Sequence, residues 1–332
     1  MISVPTAAKE LLKFALELIE QCRVSVGARG AECRKYNVIA ETGRYDSDSK
    51  ALINLLNVHL ARAAAHIFSP VELKFSIDFD NIYPKRDLDR AKVAGKLLTR
   101  QWDRSSTDTL FGRGVFEALK YGACLLKQWV QSEGKNETAV YYAKLVMPWQ
   151  FGVYNEFEND ITRQAALCET QMMTLPEVWR RIWHLPDAEK LFNRVRQHAQ
   201  KGGAMADMPA PFHQILSTSQ LQTGVNGSTG ARPGGIIQIG NDPNFGVIAP
   251  QIAAEVVQVH ETWIQDDDDY TTILLVEPDV IIAPPVVGGK LMKKSNLLGI
   301  PGTQPYSLIQ PNEVTNWFWG RSELLDLTEP QS

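Results

Sequence analysis

The chain is short of the residues that staple a fold together or carry it across a lipid bilayer. It has only four cysteines, Cys22, Cys33, Cys124 and Cys168, widely separated and with no C-x-x-C pair. Neither a disulfide framework nor a four-thiolate zinc site is expected from that spacing, which suits a reducing compartment. No window approaches the roughly 18 uninterrupted apolar residues that a membrane span requires. The opening Met1-Ile-Ser-Val-Pro-Thr has no basic segment leading into an apolar run, so no secretory signal is expected and synthesis in the cytoplasm is. One-sided charge is missing too. Lys and Arg number 34 against 38 Asp and Glu, a net charge of −4, which argues against gripping nucleic acid by bulk positive charge.

What is present is ordinary globular material: 332 residues, 44% hydrophobic and 22% charged, enough for two or three domains and a large core. Pro5 opens a first helix in which Leu11, Ala15, Leu18 and Cys22 recur at three- and four-residue steps. Oxygen-bearing side chains in Tyr45-Asp-Ser-Asp48 cap a second helix, carried by Leu52, Leu56, Leu60, Ala63 and Ile67 and stopped at Ser69-Pro70. Val71 to Phe79 alternates as a half-buried strand does. Helices follow over 88–102 and 108–127, the second with Phe111, Val115, Ala118, Gly122 and Leu125 on one face. Short apolar runs over 130–153 suit a β-hairpin that ends in an irregular crossing at Met147-Pro148, and 161–173 suits a further strand. Thr174-Leu-Pro-Glu then starts a helix with a cap, a first-turn proline and a reciprocating Glu. Seven glycines between 201 and 235, among Ser, Thr, Gln and Pro, read as a mobile loop or linker. Beyond it, 252–264, 271–276 and 280–283 read as antiparallel strands around the acidic turn Asp266–Asp269.

No motif supplies a catalytic centre. Gly289-Lys290 is followed by Leu291 and has Pro284 where a phosphate loop needs its first glycine. Gly112-Arg-Gly114 has Glu117 at the third glycine of a dinucleotide fingerprint and reads as close helix packing. No G-x-S-x-G elbow is present. The six histidines, 59, 66, 184, 198, 213 and 260, form no H-E-x-x-H, although His59 and His66 share a helix face. Asp78-Phe-Asp80 and Asp87-Leu-Asp89 have metal-ligand spacing; solvated ends of a strand and a helix account for them more simply, as a plain exposed turn does for Asp266–Asp269. The enzymatic alternative that these aspartates leave open is a metal-dependent cytoplasmic enzyme acting on phosphate esters. A non-enzyme needing no cofactor is the leading expectation. Gly288-Gly-Lys290-Leu-Met-Lys293-Lys294 places cations on a glycine-bearing loop suited to phosphate contact without base reading. Trp317-Phe-Trp319, followed by Gly320 and Arg321, concentrates aromatic area for a core or for a subunit interface.

Taken in order, the segments resemble those of tailed-bacteriophage portal proteins, the head-tail connectors. The likeness runs from about residue 45 to the end. It rests on Leu110-Phe-Gly-Arg-Gly-Val-Phe-Glu-Ala-Leu-Lys-Tyr-Gly-Ala with a strand and Trp129 behind it, on Met147-Pro-Trp-Gln-Phe, and on Asp160-Ile161 leading through Glu169 to Met173-Thr-Leu-Pro-Glu-Val. Val257-Gln-Val-His-Glu-Thr-Trp-Ile, Thr271-Thr-Ile-Leu-Leu-Val, Pro305-Tyr306 and Trp319-Gly-Arg-Ser with Leu324 to Leu327 complete it. Each motif is degenerate; order and spacing carry the resemblance.

The resemblance implies an α+β, ring-forming chain. A helix-rich, wing-like region with short antiparallel strands would occupy 1–200, a flexible loop and linker 201–250, a strand-rich, clip-like region 251–312, and the start of a stem-like helix 313–332. It implies a homo-oligomeric ring of about twelve copies at one capsid vertex of a virion, assembled in the host cytoplasm, with no membrane partner. Genomic double-stranded DNA would pass through it, without sequence specificity, in packaging and ejection. Terminase, capsid or scaffold, and tail adaptor proteins would dock on it; another phage head-tail adaptor is a related reading. Lys290, Lys293 and Lys294 would touch DNA, and Trp317, Trp319 and Arg321 are candidates for the subunit interface. Twelve copies at −4 give a conduit of about −48, which lets a duplex slide where phosphate neutralisation would hold it. In the family a long helix, a tunnel loop and a crown follow the Trp-Gly-Arg-Ser element; here the sequence stops at Thr328-Glu-Pro-Gln-Ser332, which implies that they sit on another chain or were removed.

If 201–235 is a mobile linker, limited proteolysis makes its first cuts between Lys201 and Gly235, read by mass spectrometry of the earliest fragments. First cuts elsewhere contradict that reading.

Overall fold

The computed structural model describes residues 4–5, 8–42, 55–68, 85–133, 138–183, 187–201, 236–238, 246–248, 255–266, 269–283, 286–287, 290–291 and 303–328. The strand expected over 71–79 and nearly all of the linker over 201–235 lie outside them. The architecture mixes helices with antiparallel sheets, the coarse α+β class expected. Two compact units interleave along the chain. One comprises Met1–Val38, Arg44–Lys50 and Pro148–Gln304; the other comprises Ile39–Gly43, Ala51–Met147 and Pro305–Ser332.

The first unit holds helix α1 (Ala8–Cys22) and most of helix α2 (Val26–Thr42). The second unit contributes α3 (Leu55–Ile67), α4 (Lys85–Arg104), α5 (Thr107–Tyr121) and the hairpin β1 (Cys124–Glu133) and β2 (Thr138–Val146). The chain then returns to the first unit through β3 (Phe151–Val153), β4 (Ala166–Thr174), α6 (Leu175–Ile182), α7 (Ala188–Gln197) and β5 (Gln200–Lys201). Next come the paired β6 (Ile236–Gln238) and β7 (Gly246–Ile248), and then β8 (Glu255–Asp266), β9 (Asp269–Val276) and β10 (Val280–Ala283). The paired β11 (Val286–Val287) and β12 (Lys290–Leu291) follow, and β13 (Tyr306–Ile309) and α8 (Glu323–Thr328) close the second unit.

In the first unit an antiparallel sheet runs β10-β9-β8-β4-β3, with β5 also on β8. Helices cover both of its faces, and the buried strands β4 and β8 mix apolar residues with buried polar ones. Leu11, Ala15, Leu18, Ile19 and Cys22 of α1 pack on Ala166, Cys168, Ile264, Ile273 and Leu275. The opposite face sets Met173, Val257, Val259, Leu274 and Val276 against Val178 and Ile182 of α6 and Val195 of α7. The α6 start expected from sequence is present: Glu177 Oε2 accepts from Thr174 N at 2.7 Å and from Thr174 Oγ1 at 2.8 Å.

Helix α2 carries no large aliphatic stripe. Its buried positions are Val26, Arg29, Gly30, Cys33, Tyr36, Ile39 and Ala40, none of them a leucine, so a search for leucine periodicity passes over it. The unexpected α7 is a charged helix with only Ala188 and Val195 fully buried. The 161–173 strand begins later, at Ala166, after one 3-10 turn over Ile161–Arg163.

In the second unit β13-β1-β2 form a sheet against α5, which also contacts α3 and α4. The helix expected over 108–127 stops at Tyr121. Gly122 has φ +92°, a turn that favours glycine, and Cys124, Leu125 and Leu126 run on as buried strand. Gly320, at φ +65°, lies against it: a Cβ on Gly122 would sit 2.8 Å from the Gly320 carbonyl oxygen. These two glycines let the Trp319-Gly320 turn touch the end of α5.

Within the first unit, Gly152 of β3 passes so close to the end of α1 that a Cβ would overlap the Cys22 carbonyl. Both sides of the contact are backbone and neither can step aside. Gly152→Ala is therefore expected to lower stability by roughly 1–3 kcal/mol, read as a shifted urea midpoint with unchanged slope. A neutral result would show that the approach of β3 to α1 is loose.

Candidate functional site

Polar chemistry in the first unit gathers along the β4–β8 pair. Thr170 stands opposite His260, and Glu169 opposite Glu261. Alternation sends the first pair to the α1 face and the second to the α6 face. All four side chains are buried.

On the α1 face Thr170 Oγ1 lies 2.8 Å from His260 Nδ1, and Glu277 Oε1 lies 2.7 Å from His260 Nε2. An ionised Glu277 only accepts, so Nε2 donates to it and a neutral ring accepts from Thr170 at Nδ1. That is the order hydroxyl, imidazole, carboxylate found in nucleophilic sites. Thr170, however, is 0% exposed, so its oxygen meets no substrate and the three act as a clasp between β4, β8 and the end of β9. The hydrogen bond from His260 holds the Glu277 carboxyl below the usual carboxylate range, and its partial burial opposes that.

On the α6 face Glu261 is held by Trp263 Nε1 at 2.9 Å and by Arg181 Nη1 at 3.3 Å. Near the start of α2, Arg29 is buried against Glu156, Ser25 and the Phe151 carbonyl, and burial lowers its guanidinium to about 10. The four cysteines are buried and form no disulfide with one another; burial raises Cys168 to about 11 and Cys124 to about 12, which leaves these two thiols poor nucleophiles at neutral pH.

The surface offers more. Leu175, Pro176, Trp179, Glu189, Phe192 and Asn193 line an open groove of about 480 Å³ between α6 and α7, with Trp179 edge-on to Phe192 at 5.0 Å. In the second unit the exposed side of α4 carries Lys92, Lys96, Arg100 and Arg104.

The candidates from sequence fall in different places. Lys290 lies in β12, its backbone opposite Val287, while Lys293 and Lys294 lie outside the described residues. Trp317 is 36% exposed, and Arg321 is exposed with its amide donating to the Asn312 carbonyl at 2.9 Å. Trp319 is 3% exposed and packs edge-on to the buried Phe318 at 4.9 Å, so its ring belongs to the core of its own unit. Asp78 and Asp80 lie outside the described residues, as does the Asp87 side chain, and Asp89 is exposed on α4. His59 is 3.4 Å from Glu323. Among the described residues no three His, Cys, Asp or Glu side chains converge to hold a metal, and no helix is long and apolar enough to cross a membrane.

Sequence reasoning did not single out the His260 clasp or the α4 cations. The clasp had no local signal, because its members are brought together by strand register. The cations did, in their four-residue spacing. No family model matches the chain, and no curated protein matches it.

Because Glu277 has a depressed pKa in the fold, its stabilisation is fully present above the unfolded value, about 4.3, and is lost as pH falls through the folded value. Glu277→Gln is therefore expected to destabilise the protein at pH 5, with the gap from wild type closing as denaturation is repeated toward pH 3. A gap that stays constant to pH 3 contradicts the His260 clasp.

Proposed function

We propose that the chain is a portal-like subunit: a structural protein that closes into a ring at a capsid vertex and serves as a DNA conduit, with no chemistry of its own. The observation that carries the reading is the order of its segments. An amphipathic helix, α5, leads into the hairpin β1–β2 and the crossing at Met147-Pro148. The strand β4 leads into a capped helix, the antiparallel pair β8–β9 follows, and Trp319-Gly-Arg-Ser leads into α8. That series is the one on which the resemblance to portal proteins rests.

The regions follow from the same likeness: wing-like over 1–200, linker over 201–250, clip-like over 251–312, and the start of a stem-like helix after 313. One sheet joins β4 from the first of these with β8, β9 and β10 from the third. We assign Lys290, Lys293 and Lys294 to contact with the passing duplex, and Trp317 and Arg321 to the neighbouring subunit, both being exposed. Terminase, scaffold and tail adaptor are the partners this reading requires. A ring needs heterologous contacts, one face of each copy meeting a different face of the next.

Negative-stain microscopy and sedimentation of the purified protein, alone and with co-expressed scaffold, test the reading. Closed rings of uniform size are expected. A monomer that joins neither rings nor capsids under any of these conditions would overturn it.

A further inference from the structure

Helix α4 carries cations at every fourth position from Lys92 to Arg104. Each step advances about 6 Å and turns about 40°, so the four span about 18 Å of axis within one sector of the helix. All four side chains are exposed, and no described carboxylate is ion-paired with any of them. The other side of α4, with Ala91 and Gly95 buried, packs within its unit against α5 and β2. The cationic sector is thus an exposed helix face on which four cations stand with two aspartates, Asp89 and Asp103, none of the four in an ion pair with a described residue, on a chain whose net charge is −4.

We propose that this face of α4 docks on the phosphate backbone of duplex nucleic acid. Along one strand duplex DNA presents a phosphate about every 3.4 Å of axis, so an 18 Å strip runs past about five phosphates of one strand, a match that needs no base reading. Val93 and Leu97, 57% and 53% exposed, stand at the edge of the cations and Leu98, 49% exposed, stands on the other side of the helix, so the exposed apolar side chains do not form the single continuous stripe that enters a lipid interface. The sector has no aromatic side chain either, whereas single-strand sites stack bases on exposed rings. Asp89 and Asp103 share the exposed sector and keep the contact modest. The strip goes beyond the conduit reading and does not depend on it, since a monomer would present the same face.

The test is fluorescence anisotropy of the full chain with a mixed-sequence 25-base-pair duplex from 50 to 200 mM salt. Four phosphate contacts contribute a log–log slope of about −3.6, or about 150-fold in affinity over that range. The variant with Lys92, Lys96, Arg100 and Arg104 all changed to Gln is expected to lose most of that slope. A charge-matched variant with Lys13, Arg180, Lys190 and Arg196 changed to Gln is expected to keep it, as is Lys92→Arg with Lys96→Arg. Circular dichroism confirms that each variant is folded. Equal slopes in the two quadruple variants overturn the proposal, as does binding by the wild type to phosphatidylserine vesicles or single strands through these residues but not to duplex. Sedimentation of the same samples separates the two readings. A duplex-binding monomer sustains the strip and ends the conduit; a ring whose duplex binding ignores α4 does the reverse.

Discussion

Nine consecutive pairs, from Ala166 opposite Ile264 to Thr174 opposite Val256, join β4 to β8, and the first unit is organised around that register. Side chains alternate, so the register decides at once what faces α1 and what faces α6 and α7. A slip of one residue would turn Glu169 into the layer that Cys168 and Ala166 share with α1, and move Met173 away from Val178 and Ile182. Closing the loop of roughly eighty residues between the strands costs about 4 kcal/mol of chain entropy. Burial on both faces and the nine-pair ladder offset it. The carbonyl of Cys22 against Gly152 then sets how closely α1 approaches the same sheet.

That layered core also carries polar groups that an apolar core would avoid. His260, Glu261 and Arg29 are each buried against a named partner: Glu277 for the first, Arg181 and Trp263 for the second, Glu156 for the third. Such pairs contribute little net stability against an apolar replacement, but removing one partner strands a buried charge or donor. Their effect is to specify register, since no other alignment of β4, β8 and β9 brings Thr170, His260 and Glu277 together. The frame of the first unit is thereby determined from inside, and its α6–α7 groove is left at the surface.

Charge works on two length scales here. The whole-chain charge of −4 describes the field far from the protein, where a polyanion is weakly repelled. Within a Debye length of about 8 Å the local arrangement prevails, and there α4 presents four exposed cations against two aspartates in one sector. The proposed conduit, which would let duplex slide, and the proposed strip, which would hold backbone weakly and reversibly, are compatible on those scales, because both contacts would be with phosphates and both would be screened by salt.

Much of the element order was legible in the residues. Leu11, Ala15, Leu18 and Cys22 mark α1 because a buried helical face repeats every three or four residues, and Thr174 to Glu177 mark the start of α6 because caps are local chemistry. The end of α5 was not legible. Ala123 to Lys127 are buried throughout, which removes the alternation that identifies a strand, and only the positive φ of Gly122 separates helix from strand. Helix α2 was hidden because its buried face uses Arg29, Gly30 and Cys33 in place of leucines. By itself the sequence determined composition, helix faces, caps and the four-residue spacing of the α4 cations, all properties of neighbours along the chain. Tertiary structure alone decided that Thr170, His260 and Glu277 meet, that Trp319 is spent in a core while Trp317 and Arg321 remain outside, and that among the described residues no carboxylate is ion-paired with Lys92, Lys96, Arg100 or Arg104. Those outcomes depend on which distant strands pair and in which register, and that choice is made by the burial of whole faces.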